Sequence, residues 1–118
     1  MATTTKKIEF LARGVVLCTW DAFTVSGDKG GNLDAMQYPD KDVQVVGLPA
    51  GTTKIVIEGS NDDANWSTLN DPQGNALEFT ADKHEQILEN PRYIRPRLDT
   101  ATGATSPQIL IVSRSSLG

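Results

Sequence analysis

The chain has 118 residues, of which 38% are hydrophobic and 22% charged, and this size fits one domain with a modest core. Its net charge of −4 and pI of about 4.8 disfavour nucleic-acid binding, which draws its affinity from lysine and arginine. The N-terminus lacks the apolar stretch of a secretory signal, and the longest apolar run, residues 109–112, is too short for a bilayer. We therefore expect neither nucleic acid nor a membrane as a partner.

The first seven residues are rich in threonine and, after Met1 and Ala2, entirely polar, so this segment offers little to a core. Segment 1–7 is predicted to be a flexible N-terminal arm, either frayed or ordered on a neighbouring molecule, ahead of a single domain at 8–118. The candidate contact residues of this arm are Thr3, Thr4, Thr5, Lys6 and Lys7.

Beyond the arm, short segments rich in Val, Ile, Thr and aromatic residues alternate with clusters of Gly, Pro, Asn and Asp. This pattern predicts an all-β fold, a two-layer antiparallel β-sandwich that is jelly-roll-like with about eight strands. The expected strands are 8–11, 15–20, 23–26, 43–46, 53–58, 66–69, 77–80, 92–98 and 108–114.

Two further segments have their own local signals. Residues 26–32 contain three glycines and are predicted to form a mobile loop or a wide turn. Residues 81–89 fit either a short helix, which Asp82 could cap, or a strand.

Segments 15–18 and 109–112 are apolar at every position, whereas a sheet with one wet face should alternate. A loop, the arm or another subunit could cover the second apolar face. We expect a homo-oligomer, either a dimer or a trimer, because a symmetric partner hides such a face with one surface patch.

Residues 57–69 predict a strand, a tight polar turn and a second strand. The turn contains Asn61, Asp62, Asp63 and Asn65, whose oxygens could hold calcium. Asn and Asp also dominate ordinary turns because they bond the local backbone, and the spacing matches no calcium loop, so a plain turn is favoured. Trp66 opens the second strand and is expected to bring its ring to the core.

Ser60-Asn61-Asp62 followed by Trp66 resembles the hairpin of discoidin-type β-sandwich domains, although Asp63-Ala64 stands where that pattern has glycine. The segment Arg92-Tyr93-Ile94-Arg95 is similar to a later strand of the same family. The resemblance implies a sandwich hairpin and strand, and it leaves a carbohydrate-binding module as the alternative function.

The strand at 92–98 should turn Ile94 and Leu98 inward and Tyr93, Arg95 and Arg97 outward. Tyr and Arg are enriched at protein interfaces, so these three residues form a candidate docking strip. The alternative is a solvated face whose charges are paired with Asp and Glu. Pro96 cannot donate to a ladder, which places this strand at a sheet edge, at least locally.

Segments 56–62, 71–77 and 91–96, together with Trp66, look like parts of small virion proteins of tailed bacteriophages. The resemblance implies a capsid decoration or cement protein that is made in the host cytoplasm and lies on the capsid exterior. The major capsid protein would be its partner, and a head-fibre or tail adsorption role is the neighbouring possibility.

Catalytic patterns are not found in the sequence. The one cysteine, Cys18, lies in an apolar run and is expected to be a small buried hydrophobe, and no motif links it to the one histidine, His84. Nucleophile-elbow, phosphate-loop and zinc-helix motifs are absent from the sequence. We predict that the protein is not an enzyme and uses no cofactor or metal.

Overall fold

The computed structural model describes residues 3–21, 23–34, 36–48, 53–101 and 107–115, and within them it contains twelve β-strands and no helix. The strands are β1 (Thr3–Thr4), β2 (Lys7–Ala12), β3 (Val15–Trp20), β4 (Lys29–Gly30), β5 (Leu33–Asp34), β6 (Asp40–Val46), β7 (Lys54–Ser60), β8 (Ser67–Thr68), β9 (Glu78–Phe79), β10 (Lys83–Ile87), β11 (Tyr93–Thr100) and β12 (Gln108–Arg114).

The strands form two sheets that pack face to face. The small sheet has the order β10-β6-β12-β3-β2, and the large sheet has the order β1-β4-β11-β7-β8, with β5 on β11 and β9 on β7. After β3 the chain crosses to β4 and β5, returns to β6, and then visits β7 to β9, β10, β11 and β12 in alternate sheets. This alternation, with the last strand beside β3, is the jelly roll. The predicted sandwich of about eight strands is confirmed, because several of the twelve strands are short segments that share a place in a sheet. β4 and β5 lie end to end along one side of β11, and β8 and β9 lie end to end along one side of β7.

The core lies between the inner faces of the two sheets, where strand residues alternate between buried and half-exposed. The side chains that are at most 1% exposed include Cys18, Trp20, Val43, Val45, Ile55, Ile57, Ile94, Leu98, Ile109 and Ile111. In β3 and β12, Leu17 and Val112 form a cross-strand pair on the outer face and are only half-buried. The two strands that look apolar throughout therefore bury one face in the core and leave the other partly exposed.

Residues 23–26, predicted as a strand, form a loop. The carboxylate of Asp28, a residue that is 2% exposed, accepts hydrogen bonds from the backbone N–H groups of Thr24 and Val25, each at 3.0 Å. These bonds satisfy the local backbone without a neighbouring strand. The strand prediction was wrong because periodicity does not register this competing partner.

The glycine-rich segment 26–32 was predicted as a mobile loop or a wide turn, and within it Lys29 and Gly30 instead form β4. A methyl group at Gly30 would lie 2.6 Å from Nε1 of Trp20 and 2.7 Å from Cδ of Pro96, so only glycine fits this close approach. Trp20 also donates its indole N–H to the carbonyl of Gly31 at 3.0 Å. Here Gly30 permits tight packing around Trp20.

The described part of the predicted N-terminal arm lies along its own sandwich. Thr3 and Thr4 pair in parallel with Lys29 and Gly30, and Thr4 is 5% exposed. The carbonyl of Thr4 accepts a hydrogen bond from the N–H of Gly31 at 2.7 Å. Residues 1 and 2 of the arm lie outside the described residues.

Residues 83–87, left open between helix and strand, form β10, so the helical alternative was wrong. This segment pairs antiparallel with β6 along its whole length. Asp82, the expected helix cap, instead accepts a hydrogen bond from the backbone N–H of Leu48 at 2.8 Å. Across the described ranges, the structure has no helix that is long and apolar enough to cross a membrane.

Candidate interaction face

Tyr93, Arg95 and Arg97 lie on the outer face of the large sheet, whereas Ile94 and Leu98 point into the core. The alternation predicted for this strand is therefore present. The predicted edge position is wrong for the strand as a whole, because β11 lies between β7 on one side and β4 and β5 on the other.

Pro96 nevertheless interrupts one of these pairings. Leu98 donates its N–H to the carbonyl of Asp28 at 2.7 Å. Because backbone nitrogens two residues apart point the same way along a strand, the nitrogen of Pro96 points to this side of β11 as well. On that side β5 pairs with Tyr93 and Ile94 and β4 pairs with Arg97, which leaves a gap at Pro96. The missing donor thus falls where the ladder is broken, as expected for proline in a sheet.

A buried glutamate organises the arginines of this face. Glu58 lies on β7 directly opposite Arg95, and its side chain is only 6% exposed. One carboxylate oxygen accepts from Nε of Arg95 at 2.7 Å, and the other accepts from Nε of Arg97 at 3.2 Å. Arg97 also donates from Nη1 to Asp99 at 2.6 Å. The result is a continuous series of ion pairs across the two central strands β7 and β11.

Trp66 completes this series on the outer face, so the prediction that its ring enters the core was wrong. The guanidinium carbon of Arg95 lies 3.7 Å from the Trp66 ring centroid, a close cation–π stack. Because Ser67 pairs with Gly59 and Thr68 with Glu58, alternation turns Trp66 outward, and Leu69, 4% exposed, fills the core instead. We call Trp66, Glu58, Arg95, Arg97 and Asp99 the arginine network.

The arginine network is electrically balanced, with two arginines and two carboxylates. The hydrogen bond from Arg97 holds the pKa of Asp99 below its usual range. Burial opposes ionisation of Arg97, but hydrogen bonds to Asp99 and Glu58 outweigh it and raise the pKa of that guanidinium. The observed contacts are those of the alternative interpretation, in which the charges of this face are paired with Asp and Glu. The face presents fixed planar groups and little net charge.

Glu58 was not singled out from the sequence, although a signal was present. It directly follows the apolar run Ile55-Val56-Ile57 in β7. A carboxylate in such a run implies a buried positive partner, because Glu is almost never fully buried unpaired. In the structure Arg95 and Arg97 are those partners.

The predicted arm residues divide between different parts of the molecule. Thr3 pairs with Lys29, which pairs with Arg97, so Thr3 stands in the same row of the large sheet, two strands away. Thr4 points inward and is buried. Thr5 follows β1, whereas Lys6 lines a cavity beside the small sheet and Lys7 begins β2. Of these five residues, Thr3 is the one that strand pairing places on the outer face with the arginine network.

The turn at 60–65 is held by its own side chains. The Asp62 carboxylate accepts from the backbone N–H groups of Ala64 at 3.0 Å and Asn65 at 2.8 Å, and also from the Ser60 hydroxyl at 2.9 Å. These bonds, led by the Asn65 N–H, hold the pKa of Asp62 well below its usual range. Asp63 adopts a positive φ of 61°, a left-handed conformation that favours glycine, asparagine and aspartate. These contacts are those of the plain turn.

A polar cleft of about 540 Å³ lies between this turn and residues 89–91. Its lining contains Asn61, Asp62, Asn65 and Asn90 and no aromatic residue. Within the described ranges, no three His, Cys, Asp or Glu side chains are grouped as metal ligands would be. The cleft can offer hydrogen bonds but no ring for stacking.

Cys18 and His84 lie on opposite sides of the small sheet. Cys18 points into the core, where it is 1% exposed, and burial raises the pKa of its thiol to about 12. The His84 side chain is 59% exposed on the edge strand β10, with Nε2 2.9 Å from Asp42. The thiol is thus a buried apolar group, as expected.

No family model matches this chain, and no curated protein matches its sequence. Among solved structures, the SPBc2 prophage-derived protein YomS is similar, with a TM-score of 0.58 and 9% identity over 89% of this chain and 100% of that one. A cupin domain from Bordetella pertussis Tohama I has a TM-score of 0.50 and 12% identity over 97% of this chain and 96% of that one. These likenesses establish the two-sheet fold shared by the three chains.

Proposed function

We propose that this chain is a structural protein of a bacteriophage virion, which decorates the capsid exterior and stabilises it by binding the major capsid protein. The observation that carries the proposal is the likeness to a prophage-derived protein over that protein's whole length. The jelly roll itself recurs in viral capsid proteins, and this supports the same direction.

The proposed mechanism is mass action. A protein that binds the assembled coat lattice but not free coat subunits stabilises that lattice in proportion to its occupancy. This role needs no cofactor, no nucleic acid, no membrane and no catalytic group. It requires only a surface of suitable shape and chemistry.

The arginine network is the surface best suited to this contact. It offers Trp, Arg and, next to it, Tyr, which are the residue types enriched at the energetic centres of interfaces. Arg92 lies 4.8 Å over the ring of Tyr93, so a second arginine–aromatic stack extends the face along β11. The charge-balanced, planar and pre-formed arginine network favours a partner that docks by shape and hydrogen bonds.

The test is co-sedimentation of the full chain with capsids assembled from the coat protein of the same genome. We expect saturable binding at a fixed ratio to coat subunits and a higher melting temperature of the capsid. Trp66→Ala should weaken binding, whereas Gln86→Ala, on the edge of the other sheet, should not. Absence of co-sedimentation at micromolar concentrations would refute the proposal.

The second candidate is a carbohydrate-binding module, as in a head fibre or tail adsorption component. The polar cleft beside the 60–65 turn favours it, because amide and carboxylate groups can bond sugar hydroxyls. The lack of an aromatic ring in the cleft lining disfavours it. Retention on a glycan array that Asn65→Ala abolishes would support the module and displace the capsid proposal.

A further inference from the structure

Strand β2 is an unusual sheet edge. Within the described ranges it pairs only with β3, and all six of its residues are exposed, including Phe10 at 79% and Leu11 at 51%. The opposite edge of the same sheet, β10, carries Lys83, His84 and Glu85. Natural sheets protect their edges with charge or short strands, and the large sheet ends on strands of two residues. A long, partly apolar edge is the exception that calls for a partner.

The two faces of β2 differ in chemistry. Ile8 pairs with Cys18 and Phe10 with Val16, so both apolar side chains point toward the core side of the sheet. They line a cavity of about 260 Å³ at the rim of the sandwich, together with Lys6. The intervening residues, Lys7 and Glu9, point to the outer face of the sheet.

We propose that β2 pairs antiparallel with β2 of a second copy of this chain, about a twofold axis that passes through Ile8. In this register Lys7 lies opposite Glu9 of the partner subunit, and Glu9 lies opposite the partner's Lys7. Opposite charges that face each other across strands are favourable, and like charges are unfavourable. The two small sheets then form one continuous sheet across the axis.

Other twofold registers fail on charge. An axis through Glu9 or through Lys7 sets that residue against its own copy, so like charges face each other. An axis through Phe10 sets Lys7 opposite the partner's Arg13, again with like charges. The register centred on Ile8 is the one among these four that pairs every charge on β2 with its opposite.

The apolar side of the strand fits the same register. Ile8 contacts the partner's Ile8 at the axis, and Phe10 lies opposite the partner's Lys6, whose aliphatic stem can cover the ring. Because Lys6, Ile8 and Phe10 all line the rim cavity, the cavities of the two copies adjoin across the axis. The inference goes beyond the capsid proposal and does not depend on it.

The test is sedimentation equilibrium of the full chain over a range of concentrations, without capsids. We expect a dimer, and we expect Lys7→Glu and Glu9→Lys each to raise its dissociation constant by roughly tenfold or more, because two attractive pairs become repulsive. An equimolar mixture of the two variants should dimerise again, since all facing charges are then opposite. Lys83→Glu, on the other edge, should leave the dimer unchanged, and thermal melts check that each variant folds.

Three results would overturn the proposal: a wild-type monomer at roughly 100 μM, well above ordinary dimer dissociation constants, single variants that dimerise like the wild type, or a mixture that stays monomeric. A monomer that still binds capsids, and loses this binding on Lys7→Glu, would mean that a coat-protein strand occupies the edge. That outcome removes the second copy and leaves the capsid proposal standing. A dimer that binds no capsid would support the β2 pairing and refute the capsid proposal.

Discussion

Replacing Glu58 with glutamine should destabilise the protein, because it removes the one charge that the two arginines of the face share. The change keeps the size of the side chain, so packing is preserved and the electrostatic effect is isolated. The amide can still accept from Arg95 with its oxygen, but its NH₂ group cannot accept from Arg97.

The magnitude follows from exposure. The Arg95 side chain is 12% exposed, so weakening its charge-assisted bond costs about 1.5–2 kcal/mol. The Arg97 side chain is 32% exposed, so water replaces much of its lost bond and the cost is about 0.5–1 kcal/mol. Together they predict a loss of about 2–3 kcal/mol in the free energy of unfolding.

Urea denaturation measures this loss as a lower midpoint at an unchanged slope. Asp99→Asn is the matched control, because it removes a single partly exposed pair and should cost less than about 1 kcal/mol. If Glu58→Gln lowers stability no more than Asp99→Asn does, the buried carboxylate does not organise this face and the reasoning fails.

Three further outcomes follow from the packing and from shifted pKa values. Gly30→Ala should cost about 1–3 kcal/mol in unfolding free energy because its methyl would overlap Trp20, whereas Gly31→Ala, whose nearest contact would be 3.5 Å, should stay within about 0.5 kcal/mol in a thermal melt. Burial lowers the pKa of Lys41 to about 8, so above that pH the unfolded chain binds more protons than the folded chain, and the melting temperature should rise from pH 8 to 9. Burial raises the pKa of Cys18, which opposes this rise above pH 9. In Cys18→Ala the rise in melting temperature should therefore continue to about pH 10.5. If the melting temperature of Cys18→Ala does not change between pH 8 and 10.5, this assignment is contradicted. The lowered pKa of Asp99 stabilises the fold above about pH 4 and ceases to do so as the pH falls further, so Asp99→Asn should lose less stability on acidification than the wild type.

The elements that could be predicted from the sequence are those whose side chains report the sheet directly. β3 and β12 begin and end where predicted, because each is built around a run of four apolar residues, 15–18 and 109–112. The inward and outward residues of β11 were also predicted, since a two-residue period leaves only one face for Ile94 and Leu98. Strand bounds and side-chain directions could be predicted wherever they depend on the residue pattern of a single strand.

The differences arise where a distant partner decides. The loop at 23–26 depends on Asp28, and the strand at Lys29–Gly30 depends on the space that Trp20 and Pro96 occupy. The outward position of Trp66 depends on the register between β7 and β8, which no local pattern reveals. These features are set by contacts between strands far apart in the sequence, so periodicity alone could not supply them.

The same limit applies to the candidate face. Tyr93, Arg95 and Arg97 were grouped correctly by alternation, but Glu58, the carboxylate that both arginines share, comes from β7. Lys41 is a second example, since a lysine whose side chain is fully buried, and which donates to the carbonyl of Tyr38 at 2.7 Å, has no signature in its own strand. Buried charged residues within strands are the positions where three-dimensional pairing adds most to a sequence-based prediction.

The arginine network also bears on how readily this face could recognise another molecule. Long side chains usually lose much rotational freedom when they are captured, and this opposes association. Here Arg95 is already held between Trp66 and Glu58 before any contact is made. A partner that binds this surface therefore meets side chains that are already ordered. We expect little rearrangement to limit the association rate, and we expect the stability of such a complex to be set mainly by a slow dissociation rate.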